Sequence, residues 1–177
     1  IRDRAVTLRT AGFNTIDQAA LMPATKLLSV LLMFIGASPA STGGGIKTST
    51  FLVLLLGIKS AATNSSEKAF RYSLPKEAFR KAAVITLLAL GVVLVSSWLM
   101  IVLEPQLRFI DALFEMVSAF GTVGLSTGIT AGLSVPAKLL SIFVMYIGRL
   151  GPLTIASLWY FNHGERIHFP EGNIAIG

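Results

Sequence analysis

Between Ala82 and Leu103 the chain runs for 22 residues without a charge, interrupted only by Thr86, Gly91, Ser96 and Ser97. At 1.5 Å per residue, about 20 such residues cross the hydrocarbon core of a bilayer, so this run predicts a transmembrane helix. Composition agrees: 53% of the residues are hydrophobic and 14% charged, where a soluble domain carries roughly a quarter charged residues. With no cysteine, disulfides, thiol chemistry and Cys-ligated metals are excluded. Two histidines and nine scattered acids leave little for a conventional active site, and no catalytic residue is assigned.

The other apolar stretches are less regular. Leu139 to Phe161 is long enough to span but holds Arg149 and Pro152 near its middle. Lys26 to Ile35 and Phe51 to Ile58 are each too short, and are separated by small and polar residues from Gly36 to Thr50. One helix that enters the membrane, breaks for a loop at depth and resumes is the simplest reading. Non-helical backbone at that depth is tolerated where it lines a wet cavity or is buried in protein.

Charge sets the orientation. Gly57 to Ala83 carries Lys59, Lys68, Arg71, Lys76, Arg80 and Lys81 against Glu67 and Glu77, which places it on the cytoplasmic side. Glu104 to Thr127 carries Arg108 against Glu104, Asp111 and Glu115 and falls outside. The excess of basic residues therefore reads as membrane topology, and nucleic acid is not an expected partner. Asp111 to Phe120 reads as a short helix with an acid near its start, where the helix dipole favours one. It is too short to cross, and Gly121-Thr122-Val123-Gly124-Leu125-Ser126-Thr127 follows it directly, then Pro136 opens the last span. Helix, re-entrant short helix, glycine-containing loop and helix make up the layout of a pore module.

The chain also repeats itself. A shift of 112 residues places Thr10 on Thr122, Gly12 on Gly124, Thr15 on Thr127, Ala19 on Ala131 and Leu21 on Leu133. It places Lys26, Leu27, Leu28 and Ser29 on Lys138, Leu139, Leu140 and Ser141, and Met33, Ile35 and Gly36 on Met145, Ile147 and Gly148. These ungapped identities make the chain two copies of one unit. Because it opens at Ile1 in mid-pattern, without an initiator Met or a signal peptide, it is read as a fragment whose first copy lacks its leading helix.

Thr122-Val123-Gly124-Leu125 resembles the potassium-channel filter sequence TVGYG, and two diverged copies on one chain resemble the Trk/Ktr/HKT superfamily of potassium transporters, closest to the bacterial Ktr type. The resemblance covers essentially all of the chain and implies four repeats in one polypeptide, of which these are the third and fourth. It implies an all-α membrane protein of helix, pore-loop and helix units around a pseudo-fourfold pore, multi-pass in the cell membrane. Residues 1–81 are the partial third repeat, with filter 10–15, broken helix 26–58 and cytoplasmic linker 59–81. Residues 82–161 are the fourth, with helix 82–103, pore helix 111–120, filter 121–127 and helix 136–161. Residues 162–177 are a cytoplasmic tail.

The implied function is K⁺ uptake through a backbone-carbonyl filter. Carbonyls of Thr10, Ala11, Gly12 and Phe13, with Thr122, Val123, Gly124 and Leu125, would replace the ion's water shell. The alternative for both segments is a tight turn at a helix end. The interruption Gly36, Ala37, Ser38, Pro39, Ala40, Ser41, Thr42, Gly43, Gly44, Gly45, Ile46, Lys47 and Thr48 looks like the superfamily's intramembrane gating loop. Arg149 matches its arginine below the filter: an electrostatic barrier that anchors the loop or, alternatively, the partner of an acid such as Glu115. The repeat pairs Arg149 with Ala37, which would bring arginine and loop to similar depth. K⁺ is the expected ion, with Na⁺ as an alternative coupling or activating ion, and no organic cofactor is expected. The resemblance further implies a homodimer, embedded in lipid, on a cytosolic ring of nucleotide-binding regulatory subunits, contacted by Lys68 to Lys81 and the tail from Asn162.

Two rival readings remain on the residues. A half-size, two-repeat channel would dimerise to make one pore. A membrane anion or phosphate binder would use the glycine loops, since Gly43-Gly44-Gly45-Ile46-Lys47-Thr48 is similar to a phosphate-binding loop with Ile46 intruding before the lysine. Asn64-Ser65-Ser66 fits a glycosylation sequon on a side where it would stay unmodified, and His163 and His168 read as solvated or interfacial rather than metal-ligating.

Overall fold

A computed structural model describes residues 18, 21–39, 41, 43–63, 68–69, 72–73, 76–151 and 154. The expected first filter (Thr10, Ala11, Gly12, Phe13), the loop residues Ala40 and Thr42, the sequon at Asn64, both histidines and the 162–177 tail lie outside them.

Helix α1 (Pro23–Phe34) starts with proline in its first turn, where the missing N–H costs nothing and φ is already helical. It stops at Ile35, which turns to extended backbone. The chain resumes as α2 (Thr48–Thr63). Two-residue strands β1 (Lys68–Ala69) and β2 (Tyr72–Ser73) then pair antiparallel, Lys68 opposite Ser73.

Helix α3 (Lys76–Leu103) begins six residues ahead of the charge-free run, because Lys76, Glu77, Arg80 and Lys81 are good helix formers that carry it out toward water. Among the described residues, its segment Glu77–Leu103, with mean hydropathy 2.5, is the one helix long and apolar enough to cross a membrane. Leu87 and Trp98 on this helix are 67% and 63% exposed, the surface of a helix whose outer face meets lipid. Its hydroxyls return to the helix: Thr86 donates to the Ala82 carbonyl, and Ser96 and Ser97 both donate to Val93. None is stranded in hydrocarbon.

The short helix α4 (Phe109–Gly121) lies at the centre, and from Asp111 to Gly121 every residue but Leu113 is buried. Its buried acids, Asp111 and Glu115, are therefore obliged to find partners inside the protein. Phe114, Phe120, Met33, Met100, Met116, Val117 and Val144 form the most deeply buried part of the core. A 3₁₀ turn at Thr130–Gly132 leads to α5 (Val135–Leu150), which ends where Gly151 takes φ 89°. The expected helix 136–161 is thus interrupted at residue 151, in a conformation only glycine adopts cheaply, with Pro152 next in sequence.

Helices α1 and α5, copies of each other by the repeat, flank α4. Lys26 near the start of α1 meets Asp111 near the start of α4, and at the other end the Phe34 and Phe120 rings stack 6.1 Å apart. The two helices therefore run in the same direction. Gly148, in the last turn of α5, packs against the Phe120 carbonyl so closely that no side chain fits.

Candidate functional site

After α4 the backbone turns sharply. Thr122 takes a left-handed conformation (φ 52°, ψ 39°) and donates its N–H to Ala119, while the Val123 N–H donates to the Ser118 carbonyl at 2.9 Å. These bonds cap the helix. From Val123 the chain runs without regular secondary structure and alternates: Val123, Leu125 and Thr127 are buried, while Gly124 and Gly128 are exposed. Gly124 adopts φ 86°, which L side chains rarely take. The apolar side chains thus anchor one face of this segment in the core and leave the Gly124 backbone open.

Glu115 fastens the segment from behind. One carboxylate oxygen accepts hydrogen bonds from the Ser126 hydroxyl and, at 3.0 Å, from the Thr127 N–H; the other accepts from Thr130 Oγ1 at 3.1 Å. The Ser126 hydroxyl also accepts from the Gly128 N–H at 2.9 Å. One acid inside α4 therefore ties down residues 126–130, and with these donors around it Glu115 has a structural partner set other than Arg149. Thr127 Oγ1 is buried without a hydrogen-bond partner among the described residues.

A second acid closes the excursion that carries α4 and this segment. Glu104, at the end of α3, accepts from the Ser134 N–H at 2.7 Å and from Gln106 Nε2 at 2.6 Å. Hydrogen bonding to the Ser134 side chain, then to its backbone, and also to Gln106 outweighs desolvation and holds the Glu104 carboxyl below the ordinary carboxylate range. The negative charge also sits at the start of α5, where the helix dipole favours it.

The loop between α1 and α2 is pinned at its base and folded onto the end of α4. Ile35 and Ile46 form a parallel bridge, with the Gly36 N–H donating to Ile46 at 2.8 Å and the Ile46 N–H to Phe34 at 3.2 Å. The Thr48 N–H donates to Ala37. Above this base, Ser41 N–H closes a turn onto the Ser38 carbonyl, and Lys47 Nζ reaches back to the carbonyls of Gly43 at 2.6 Å and Ser41 at 3.2 Å. A phosphate-binding loop needs its lysine and backbone N–H groups free for an anion. Here the lysine is occupied by carbonyls. The Gly44 N–H donates to Thr122 Oγ1 at 2.9 Å, a bond between residues 78 apart that joins the loop to the segment after α4. A Cβ on Gly44 would sit 2.7 Å from the Phe120 carbonyl oxygen, so only glycine permits the approach.

Gly36 and Gly44 are buried, Ala37, Gly43, Gly45 and Lys47 are half-buried, and Ser38 and Ser41 are exposed. Arg149 is exposed in the last turn of α5, one residue beyond the Gly148 contact with Phe120. Sequence reasoning missed one buried pair: Lys26 Nζ lies 2.7 Å from Asp111 Oδ1, with Arg108 Nε 3.0 Å from the other oxygen. A lysine in the first turn of a helix opposes the dipole, which was the available signal that it has an acidic partner.

The family model described as cation transport protein, TrkH, matches residues 4–163. The chain belongs to the TrkH family of cation transport proteins. It is 38% identical over 175 residues to Ktr system potassium uptake protein B of Bacillus subtilis, covering 98% of this chain and 39% of that protein. It is 39% identical to Ktr system potassium uptake protein D of the same organism, over 98% of this chain, and 35% identical to potassium/sodium uptake protein NtpJ of Enterococcus hirae. The chain thus spans about two fifths of the length of these curated relatives. The crystal structure of the potassium transporter TrkH from Vibrio parahaemolyticus shares the fold, with a TM-score of 0.70, 23% identity, and coverage of 87% of this chain and 35% of that one. The fold is that of an integral membrane protein, helical among the described residues apart from the short β1–β2 hairpin.

Proposed function

We propose that this chain forms part of a K⁺ uptake pathway across the cell membrane, with the backbone of Thr122, Val123, Gly124 and Leu125 as one segment of its ion filter. The observation that carries the reading is the open Gly124 backbone, held between buried Val123 and Leu125, two residues after the Thr122 hydroxyl that accepts from Gly44 of the 36–48 loop. A dehydrated cation needs several oxygen ligands of moderate strength, and carbonyls on a fixed backbone segment supply them. Thr10, Ala11, Gly12 and Phe13 would supply the corresponding carbonyls of the first copy. The relatives named for potassium uptake, and the one named for potassium and sodium, support K⁺ as the ion with Na⁺ as a second.

The loop is the gate in this reading: it closes while Gly44 bonds Thr122 and Lys47 keeps its turn folded, and it opens by leaving the filter end. Arg149 places a positive charge near the same end of α5 and raises the barrier to a cation there. By the family resemblance, the membrane subunit works as a homodimer on a cytosolic nucleotide-binding ring. The test is deletion of residues 38–43 in the full-length transporter, reconstituted in liposomes, together with Arg149→Gln. Both should raise ⁸⁶Rb⁺ uptake several-fold at equal protein. Lower uptake with intact protein would make the loop a structural element and overturn the gate.

A further inference from the structure

The cytoplasmic end of α3 is fixed about its own axis by Phe79, whose ring packs on Gly57 of α2 so closely that no side chain would fit there. Ala82, Ala89 and Val93 are buried along that same side of the helix. With 3.6 residues per turn, Glu77, Arg80, Lys81 and Val84 come out on the opposite side, and together they line an open groove of about 320 Å³. Lys81 lies 3.7 Å from Glu77 with both side chains largely exposed, a pairing that water weakens. Among the described residues Arg80 forms no ion pair, so the groove holds two cations against one acid. A stripe of exposed apolar residues continues from it along the same side of the helix, through Leu87, Leu94 and Val95. Within the stripe, nothing lies within 4 Å of the place a Cβ would take on Gly91.

We infer that this groove holds the headgroup phosphate of an anionic phospholipid of the cytoplasmic leaflet, with an acyl chain laid along Val84, Leu87, Gly91 and Val95. Lys81 is the last charge before the apolar run that starts at Ala82, so Arg80 and Lys81 sit where the hydrocarbon core gives way to headgroups. The Arg80 guanidinium presents N–H donors in a planar fork that matches two phosphate oxygens, and Lys81 adds a point charge on a flexible stem. An excess of cations favours a lipid with net negative charge over a zwitterionic one. The stripe decides between occupants of the same charge. A free phosphate would use the polar end alone, and a cytosolic protein would meet the groove without reaching the residues deeper in hydrocarbon. Val84 to Val95 spans about 16 Å along the helix, close to half of a hydrocarbon core about 30 Å thick, which is the depth of one leaflet. An amphiphile fits both ends. None of the filter residues takes part, so the site is independent of the ion pathway.

In the test, the full-length transporter carries the photo-reactive residue p-benzoylphenylalanine in place of Leu87. It is placed in nanodiscs of phosphatidylcholine with a minor share of phosphatidylglycerol of the same acyl chains, and the adducts formed on irradiation are identified by mass spectrometry. Phosphatidylglycerol should be several-fold enriched among the lipid adducts relative to its share of the bilayer. The same probe at Trp98, toward the other end of the helix, should capture the two lipids in bulk proportion. Arg80→Gln combined with Lys81→Gln should bring position 87 down to bulk proportion, whereas Glu77→Gln, which removes the acid of the groove, should raise the enrichment. Bulk proportion at position 87 in the wild type, equal enrichment at positions 87 and 98, or an enrichment that survives loss of both cations would overturn the proposal. A Glu77→Gln variant without the rise would show that the charge of the groove does not select the lipid, with the same consequence. Loss of the enrichment on adding inorganic phosphate at constant ionic strength would make the groove a free-anion site. With the probe at Val84 in intact cells, an adduct to a protein in place of lipid would make a macromolecule the occupant; either result overturns the lipid assignment.

Discussion

The Gly44 N–H donates to Thr122 Oγ1 at 2.9 Å, across 78 residues of sequence, and so binds the loop between α1 and α2 to the first residue after α4. Gly44 has no room for a side chain at this point, with the Phe120 carbonyl oxygen 2.7 Å from where its Cβ would be and Thr122 Cγ2 at 3.0 Å. The loop and the segment after α4 are therefore joined by a hydrogen bond from backbone to side chain beside a close approach of the two backbones.

Breaking that contact should favour the open pathway. Thr122→Val keeps the shape but leaves the Gly44 N–H without an acceptor, at a cost of about 1–3 kcal/mol to the closed arrangement. Gly44→Ala forces the loop away while leaving the filter sequence untouched. Both variants should show several-fold faster ⁸⁶Rb⁺ uptake into proteoliposomes. Wild-type uptake in Gly44→Ala would show that the loop does not gate through this contact.

Lys26→Ala should destabilise the protein strongly, because it leaves Asp111 buried without its nearest cation. Removing one partner of a buried pair costs about 3–5 kcal/mol, and Arg108, on the exposed side of Asp111 at 3.0 Å, keeps the loss toward the lower end. The double variant Lys26→Ala, Asp111→Ala should lose less than the sum of the single changes in unfolding of the solubilised protein. Additive losses would mean the pair is not energetically coupled.

The Glu104 clasp predicts a specific response to acid. Its carboxyl is held below the ordinary value of 4.5 in the folded protein, so its contribution to stability is complete above that value. It is lost as pH falls below 4.5 and the carboxylate takes up a proton. Glu104→Gln should lower the unfolding midpoint at pH 7, and the gap to wild type should close on acidification. A gap that stays constant with pH would argue against an ionised clasp.

Much of the architecture is legible because membrane and repeat constrain sequence directly. The Ala82 to Leu103 run, the small-residue interruption after Ile35 and the short helix beginning near Asp111 all announce themselves through hydropathy and glycine content. The helix ends are less legible: α3 extends back to Lys76 on charged helix formers, and α5 ends at Gly151 although apolar residues continue beyond it. The polar contacts that assemble the site were mostly invisible. Lys26 meets Asp111 across 85 residues, and Gly44 meets Thr122 across 78. Neither partner can be chosen from spacing when the two lie in different repeat units. Glu115 was closer to readable, since Ser126, Thr127 and Thr130 supply a cluster of donors shortly after its helix.

The central claim is that cations cross at the backbone of residues 122–125, and the most direct measurement is the Rb⁺ to Na⁺ flux ratio of Gly124→Ser in the full-length transporter in liposomes. Gly124 holds φ 86°, and a side chain there opposes the conformation at a cost of about 1–2 kcal/mol. A shift of that size in ion preference corresponds to roughly a five- to thirtyfold fall in the flux ratio. The account predicts such a fall with protein level and unfolding midpoint little changed. A folded Gly124→Ser transporter with the wild-type flux ratio would contradict it.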